Sequence, residues 1–156
     1  MQTHATTGIR NTMSRPQALP RDAFPHFSPI TTRWMDNDAY GHVNNVTYYS
    51  YFDTVANRYL IEAGVLDIER SPVIGLVVET GCHYFSSVAF PDKVMAGMRV
   101  ANLGRSSVRY EIGIFREDDP LSAAHGHFVH VYVDRETRRP VDLPAPLRAA
   151  LQRLAI

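Results

Sequence analysis

From Ser28 onward the chain alternates between two hydrophobic rhythms, and their order defines a topology. Ile30, Thr32 and Trp34 alternate with Thr31, Arg33 and Met35, which predicts a short strand. Val46, Tyr49, Phe52, Ala56, Tyr59, Leu60 and Ala63 then recur every three or four positions, as along one face of a helix. Asn45 is the expected N-cap and Gly64 the expected left-handed C-terminal cap. Period-two patterns follow over Val73–Ser87, Lys93–Leu103, Val108–Ile114 and Ala123–Asp134. The first of these begins apolar on both faces, which predicts a first half buried on both sides. Gly104-Arg105-Ser106 and Glu117-Asp118-Asp119-Pro120 supply turns between neighbours. A closing helix is expected over Ala145–Leu154, with Pro146 in its first turn and Leu147, Ala150, Leu151 and Leu154 inward.

Strand, long helix, four strands and short helix, joined mostly by short connections, predict an α+β domain. An antiparallel sheet with one long helix on a face is the economical arrangement. Residues 28–156 form that single domain. Met1–Phe27, rich in Thr, Ser, Arg and Pro and lacking apolar periodicity, is expected to be a mostly disordered tail.

Composition narrows the function. Sixteen basic and sixteen acidic residues cancel, so no global field favours nucleic acid or an anionic membrane. Cys82 is the single cysteine, which excludes an internal disulfide framework and a multi-cysteine zinc site. No apolar stretch is long enough to span a bilayer and no secretory leader is evident, so a cytoplasmic protein is expected. His125, His127 and His130 lie on one strand, where His125 and His127 share a face and His130 takes the other. Such a run cannot supply three ligands without distortion, so no metal and no other cofactor are expected.

The densest chemistry is Asp36-Asn37-Asp38-Ala39-Tyr40-Gly41-His42-Val43-Asn44-Asn45, directly before the long helix. Amides at a helix start lack intrahelical partners and carry partial positive charge, so they can stabilise an oxyanion. A looped segment could return Asp38 to that end, as a nucleophile or as a base for water. This suits hydrolysis of an activated acyl group. The competing reading is structural, with Asp36 and Asp38 as turn formers and Asn45 as a cap.

The run D-x-D-x-x-G-H-V-N-N-x-x-Y, from Asp36 through Tyr48, resembles the signature of hotdog-fold acyl-CoA thioesterases of the 4-hydroxybenzoyl-CoA thioesterase-like group. The resemblance runs from about Ile30 to the C-terminus and includes the closing segment from His127 to Asp134, with Arg139-Pro140 and Leu143-Pro144. It implies a hotdog fold, an antiparallel sheet wrapped around one long central helix, with subunits paired as a homodimer or homotetramer and sites at the interface. By position it makes Asp38 the catalytic carboxylate and gives the Asn45 amide to the thioester carbonyl. Arg105, with Ser106 and Ser107 beside it, matches a region that contacts CoA phosphates. Tyr48 would line the acyl pocket. Plant acyl-carrier-protein thioesterases share a D-x-D-x-N-x-H-V-N-N pattern that Asp38 and His42 match, but Tyr40 replaces its Asn. His42 therefore either orients Asp38 or water, or holds the loop. The implied reaction is hydrolysis of an acyl-CoA to acid and CoA. An acyl-carrier-protein thioesterase and a non-catalytic acyl-CoA-binding hotdog protein are the alternatives.

Overall fold

A computed structural model describes residues 14–156. Five strands form one antiparallel sheet: β1 (His26–Thr31), β2 (Val73–Tyr84), β3 (Lys93–Leu103), β4 (Ser107–Arg116) and β5 (Ala124–Asp134). Their spatial order is β1-β3-β4-β5-β2, so β1 and β2 are the edges. Helix α1 (Thr47–Glu62) connects β1 to β2, and α2 (Ala145–Gln152) closes the chain. Among the described residues, no helix is long and apolar enough to cross a membrane.

The clean alternation of β4 sets one face of the sheet against α1. Val108, Tyr110, Ile112 and Ile114 are all buried. From the helix, Tyr48, Tyr51, Phe52, Val55, Ala56 and Leu60 join them in one apolar cluster. Phe52 meets Phe128 of β5 edge to face, with ring centroids 5.8 Å apart. Leu147, Leu151 and Leu154 extend the core from α2, as their spacing predicts. Gly64 follows the helix with φ of 72°, the left-handed cap expected there.

Four expectations need correction. Trp34 does not continue the first strand inward. β1 ends at Thr31 and the chain makes a 3-10 turn over Trp34–Asp36, leaving Trp34 82% exposed. The ordered fold also starts before Ser28. Phe24 is buried on the sheet face opposite α1, where Gly97 and Gly113 leave room for it, since a β carbon at either would come within 2.7 Å of its ring. Burying such a side chain contributes about 2 kcal/mol, enough to fix this part of the expected tail. The rest of that expectation, residues 1–13, lies outside the described residues.

The third correction concerns the helix start. The N-cap is Val46, not Asn45, and it makes no side-chain cap. Asn44 acts instead, its Oδ1 accepting the Val46 amide at 3.0 Å. The fourth concerns β2, whose apolar residues are not buried on both sides. It is an edge strand, with Leu76, Val77 and Val78 exposed by 36%, 47% and 61%.

Candidate active site

The motif folds into a small hairpin. The Asn44 amide donates to the Asp36 carbonyl at 2.9 Å, and the Asp38 amide donates to the His42 carbonyl at 2.9 Å. Gly41 closes the turn by donating to the Asp38 carbonyl at 3.1 Å, with φ of 80° that favours glycine. This geometry places Asp38 opposite His42, three residues before Asn45. The Val43 amide donates to Val88 at 2.7 Å, and Asn37 Oδ1 accepts the Phe90 amide at 2.9 Å. The hairpin is thereby fixed to the loop that follows β2.

The two acids differ in kind. Asp36 is buried, and its carboxylate accepts from the Tyr51 hydroxyl at 2.7 Å, the Arg33 amide at 2.9 Å and the Arg33 guanidinium at 3.0 Å. Burial alone would raise its pKa, but those hydrogen bonds and the adjacent guanidinium outweigh it and hold the carboxyl below its ordinary range. Asp36 is an anchor for the helix start. Asp38 is only half-buried, with Oδ1 accepting the Tyr40 amide at 2.8 Å. Of the two, only Asp38 combines partial exposure with a carboxylate oxygen outside these bonds.

Beside the hairpin lies a cleft of about 300 Å³, lined by His42, Val43, Asn45, Tyr48 and the segment Tyr84–Ser87. Tyr48 forms an inner wall, its ring edge-on to Tyr84 at 5.1 Å, and burial pushes its phenol up to about 12. The Tyr84 hydroxyl donates to the Asn45 carbonyl at 2.8 Å, fixing the backbone at the cleft mouth. The Asn45 amide has no hydrogen-bond partner among the described residues. Of the amides that follow it, Val46 is taken by Asn44 Oδ1 at 3.0 Å, and Thr47 and Tyr49 by the Asn44 and Val46 carbonyls at 2.9 and 3.2 Å.

The chain does not unite every expected residue. Asp38 is not on the lining of the cleft, although its hairpin partner His42 is. Arg105, Ser106 and Ser107 are at the other end of the sheet. Ser107 pairs with Val131 of β5, whereas Tyr84 pairs with Ala124, seven residues along that strand, or about 23 Å. The Arg105 side chain is 84% exposed and pairs with Asp142. A larger groove of about 680 Å³, between β1 and the start of β3, contains no motif residue. The histidines divide as expected: His127 meets Glu79 at 2.9 Å and His125 approaches Glu111 at 3.7 Å on one face, while His130 is buried on the other.

Sequence reasoning missed the wall formed by Tyr84, Phe85, Ser86 and Ser87. Its strand pattern was carried through Ser87, whereas β2 ends at Tyr84. The available signal was the break Ser86-Ser87-Val88-Ala89-Phe90-Pro91, where polar residues and a proline interrupt the alternation.

A five-stranded antiparallel sheet packed on a helix, with a cleft and a carboxylate hairpin at the helix start, is consistent with a hotdog fold. Residues 32–151 match the thioesterase-like superfamily, and the chain belongs to that family. The PA5185 protein of Pseudomonas aeruginosa is 55% identical, over 89% of this chain and 97% of that one, with a TM-score of 0.87. The PA2801 protein from the same species is 30% identical, over 81% and 98%, with a TM-score of 0.75. A Thermus thermophilus thioesterase, solved with coenzyme A and zinc, is 30% identical over 84% and 95%, with a TM-score of 0.70.

Proposed function

We propose that this thioesterase hydrolyses an acyl-CoA to the free acid and CoA. The observation that carries the reading is the unpartnered Asn45 amide at the mouth of the motif cleft. A thioester carbonyl seated there would be polarised by that donor and by the start of α1. Asp38 would then act as nucleophile or as the base for water, with His42 on the cleft wall orienting that water or the carboxylate. Tyr48 would bound the acyl group. The coenzyme bound to the Thermus relative supports CoA as the leaving group.

The reading includes a homodimer. β2 offers a free strand edge with exposed Leu76, Val77 and Val78, the kind of edge that a second copy covers. A two-fold axis through the middle of β2 reverses the strand, so the second copy presents its Val73 end at this copy's Tyr84. Its Gly104–Ser107 hairpin would stand three strand positions away, about 15 Å. Arg105 could then reach the phosphates of a coenzyme seated in the first copy's cleft.

Asn45 tests the carbonyl site. Asn45→Ala keeps the amide and disturbs no cap, so it should remain active. Asn45→Pro removes the N–H and should be folded but inactive. Turnover by a folded Pro variant would remove the amide from the mechanism.

A further inference from the structure

At the opposite end of β2 from the motif cleft lies a second cavity, about 180 Å³, between the C-terminal half of α1, the Val65–Ile68 turn and the β2–β5 pair. Leu60, Leu66, Ile68 and Ile74 give it an apolar wall. Its polar residues are mostly committed. The Tyr132 hydroxyl is shared with Tyr110 at 2.6 Å, and Arg135 donates to the Ser71 and Ile68 carbonyls at 2.6 and 2.8 Å. Asn57 Nδ2 donates to the Asp53 carbonyl at 2.9 Å.

His130 is the exception. The residue is 5% exposed, yet its Nε2 has no hydrogen-bond partner among the described residues. Its Nδ1 faces Gly75 on the cavity wall, where a β carbon would come within 2.9 Å. Glycine at that position leaves room for the imidazole to pack over it and brings Nδ1 to the cavity wall. A buried polar ring with spare capacity at the edge of an apolar cavity is the arrangement of a site that orients a ligand.

The size says which part of a ligand. Complete small-molecule sites span roughly 300–1,000 Å³, so this cavity suits one end of a substrate. Pairing two β2 edges about a two-fold axis sets the cavity of one copy against the cleft of the other, because the two lie at opposite ends of the same strand. Burial pushes the imidazole down to about 4, so it is neutral near pH 7 and offers one donor and one acceptor. A neutral ring that both donates and accepts matches a hydroxyl or a ketone, while the Arg135 guanidinium on the same lining is turned to the Ser71 and Ile68 carbonyls.

We propose that this cavity receives the far end of the acyl group and that His130 selects acyl chains carrying a neutral oxygen substituent, a hydroxyl or ketone. The proposal rests on the thioesterase reading for its substrate, but its test can fail separately. Matched pairs of acyl-CoAs, each an oxygenated chain and its unsubstituted parent, should differ in kcat/KM by at least about tenfold in favour of the oxygenated member at one chain position. His130→Leu should slow the oxygenated substrate far more than its parent and erase that ratio. No preference in the wild type, or a preference that survives His130→Leu, overturns the proposal. The second measurement needs no variant and no catalysis. The His130 ring signals of wild-type protein are followed by NMR while free hydroxy and keto acids, or their parent acids, are added. Larger shifts with the oxygenated acids support the site, and equal or absent shifts overturn it. If no acyl-CoA is cleaved at all, the thioesterase reading fails and the NMR result alone decides the cavity.

Discussion

The Tyr51 hydroxyl donates a 2.7 Å hydrogen bond to the Asp36 carboxylate, joining the first full turn of α1 to the start of the motif hairpin. Asp36 also holds the Arg33 amide and guanidinium, so one buried carboxylate orders both ends of the motif. Asp36→Asn should therefore be a stability variant. Losing a charged acceptor from this buried set should cost about 3 kcal/mol. Urea unfolding would show it, and an unchanged midpoint would remove the anchor role.

Arg105 should act on the coenzyme and on nothing else. Arg105→Ala is expected to raise KM for acyl-CoA much more than it lowers kcat. A truncated thioester lacking the nucleotide should be indifferent to the change. Equal effects on the two substrates would leave Arg105 as a partner of Asp142 only.

Assembly should depend on the exposed strand. Sedimentation at assay concentration should show at least a dimer, and Val78→Lys, which places a charge on the free edge, should release monomers with reduced activity. A wild-type monomer with full activity contradicts the paired site.

Acid should weaken the fold in two stages. The folded pKa of His130 lies below its ordinary 6.5, at about 4. The folded state thus binds fewer protons, and stability is full above 6.5 and lost as pH falls toward 4. That shift corresponds to about 3 kcal/mol. Glu111 is held down to about 2 by His125, 3.7 Å away, and by the Arg99 guanidinium, whose Nε donates to it at 2.7 Å, against the opposing effect of burial, so its contribution fades between 4.5 and 2. His130→Phe should flatten the urea midpoint between pH 6.5 and 4 while leaving the lower stage. The same slope in that variant would assign the upper stage to another group.

The elements with one apolar and one polar face were legible from the chain alone. β4 and α2 follow their periodicity because local pattern and burial agree there. The helix was legible too, but Val46 was placed inward while Tyr51 and Val55 were missed, since Tyr, Val and Ala fit two overlapping faces. β2 misled for a physical reason. An apolar run reads the same whether a strand is covered on both sides or lies at the sheet edge, because the pattern does not encode a strand's place in the sheet. The motif gave the cleft residues His42, Asn45 and Tyr48, and the resemblance singled out Asp38, but spacing alone did not separate it from Asp36. Their roles differ by burial and by distant partners such as Tyr51, which spacing does not encode.

Thiol release from a panel of acyl-CoAs, followed with purified wild-type protein and Asp38→Asn, tests the central claim most directly. The wild type should release CoA from at least one member. Asp38→Asn, folded and of unchanged assembly, should lose about 10²–10⁴ of that rate, the range for a positioned acid or base. Near-wild-type release by the folded variant, or no release by the wild type from any acyl-CoA it binds, would contradict the account.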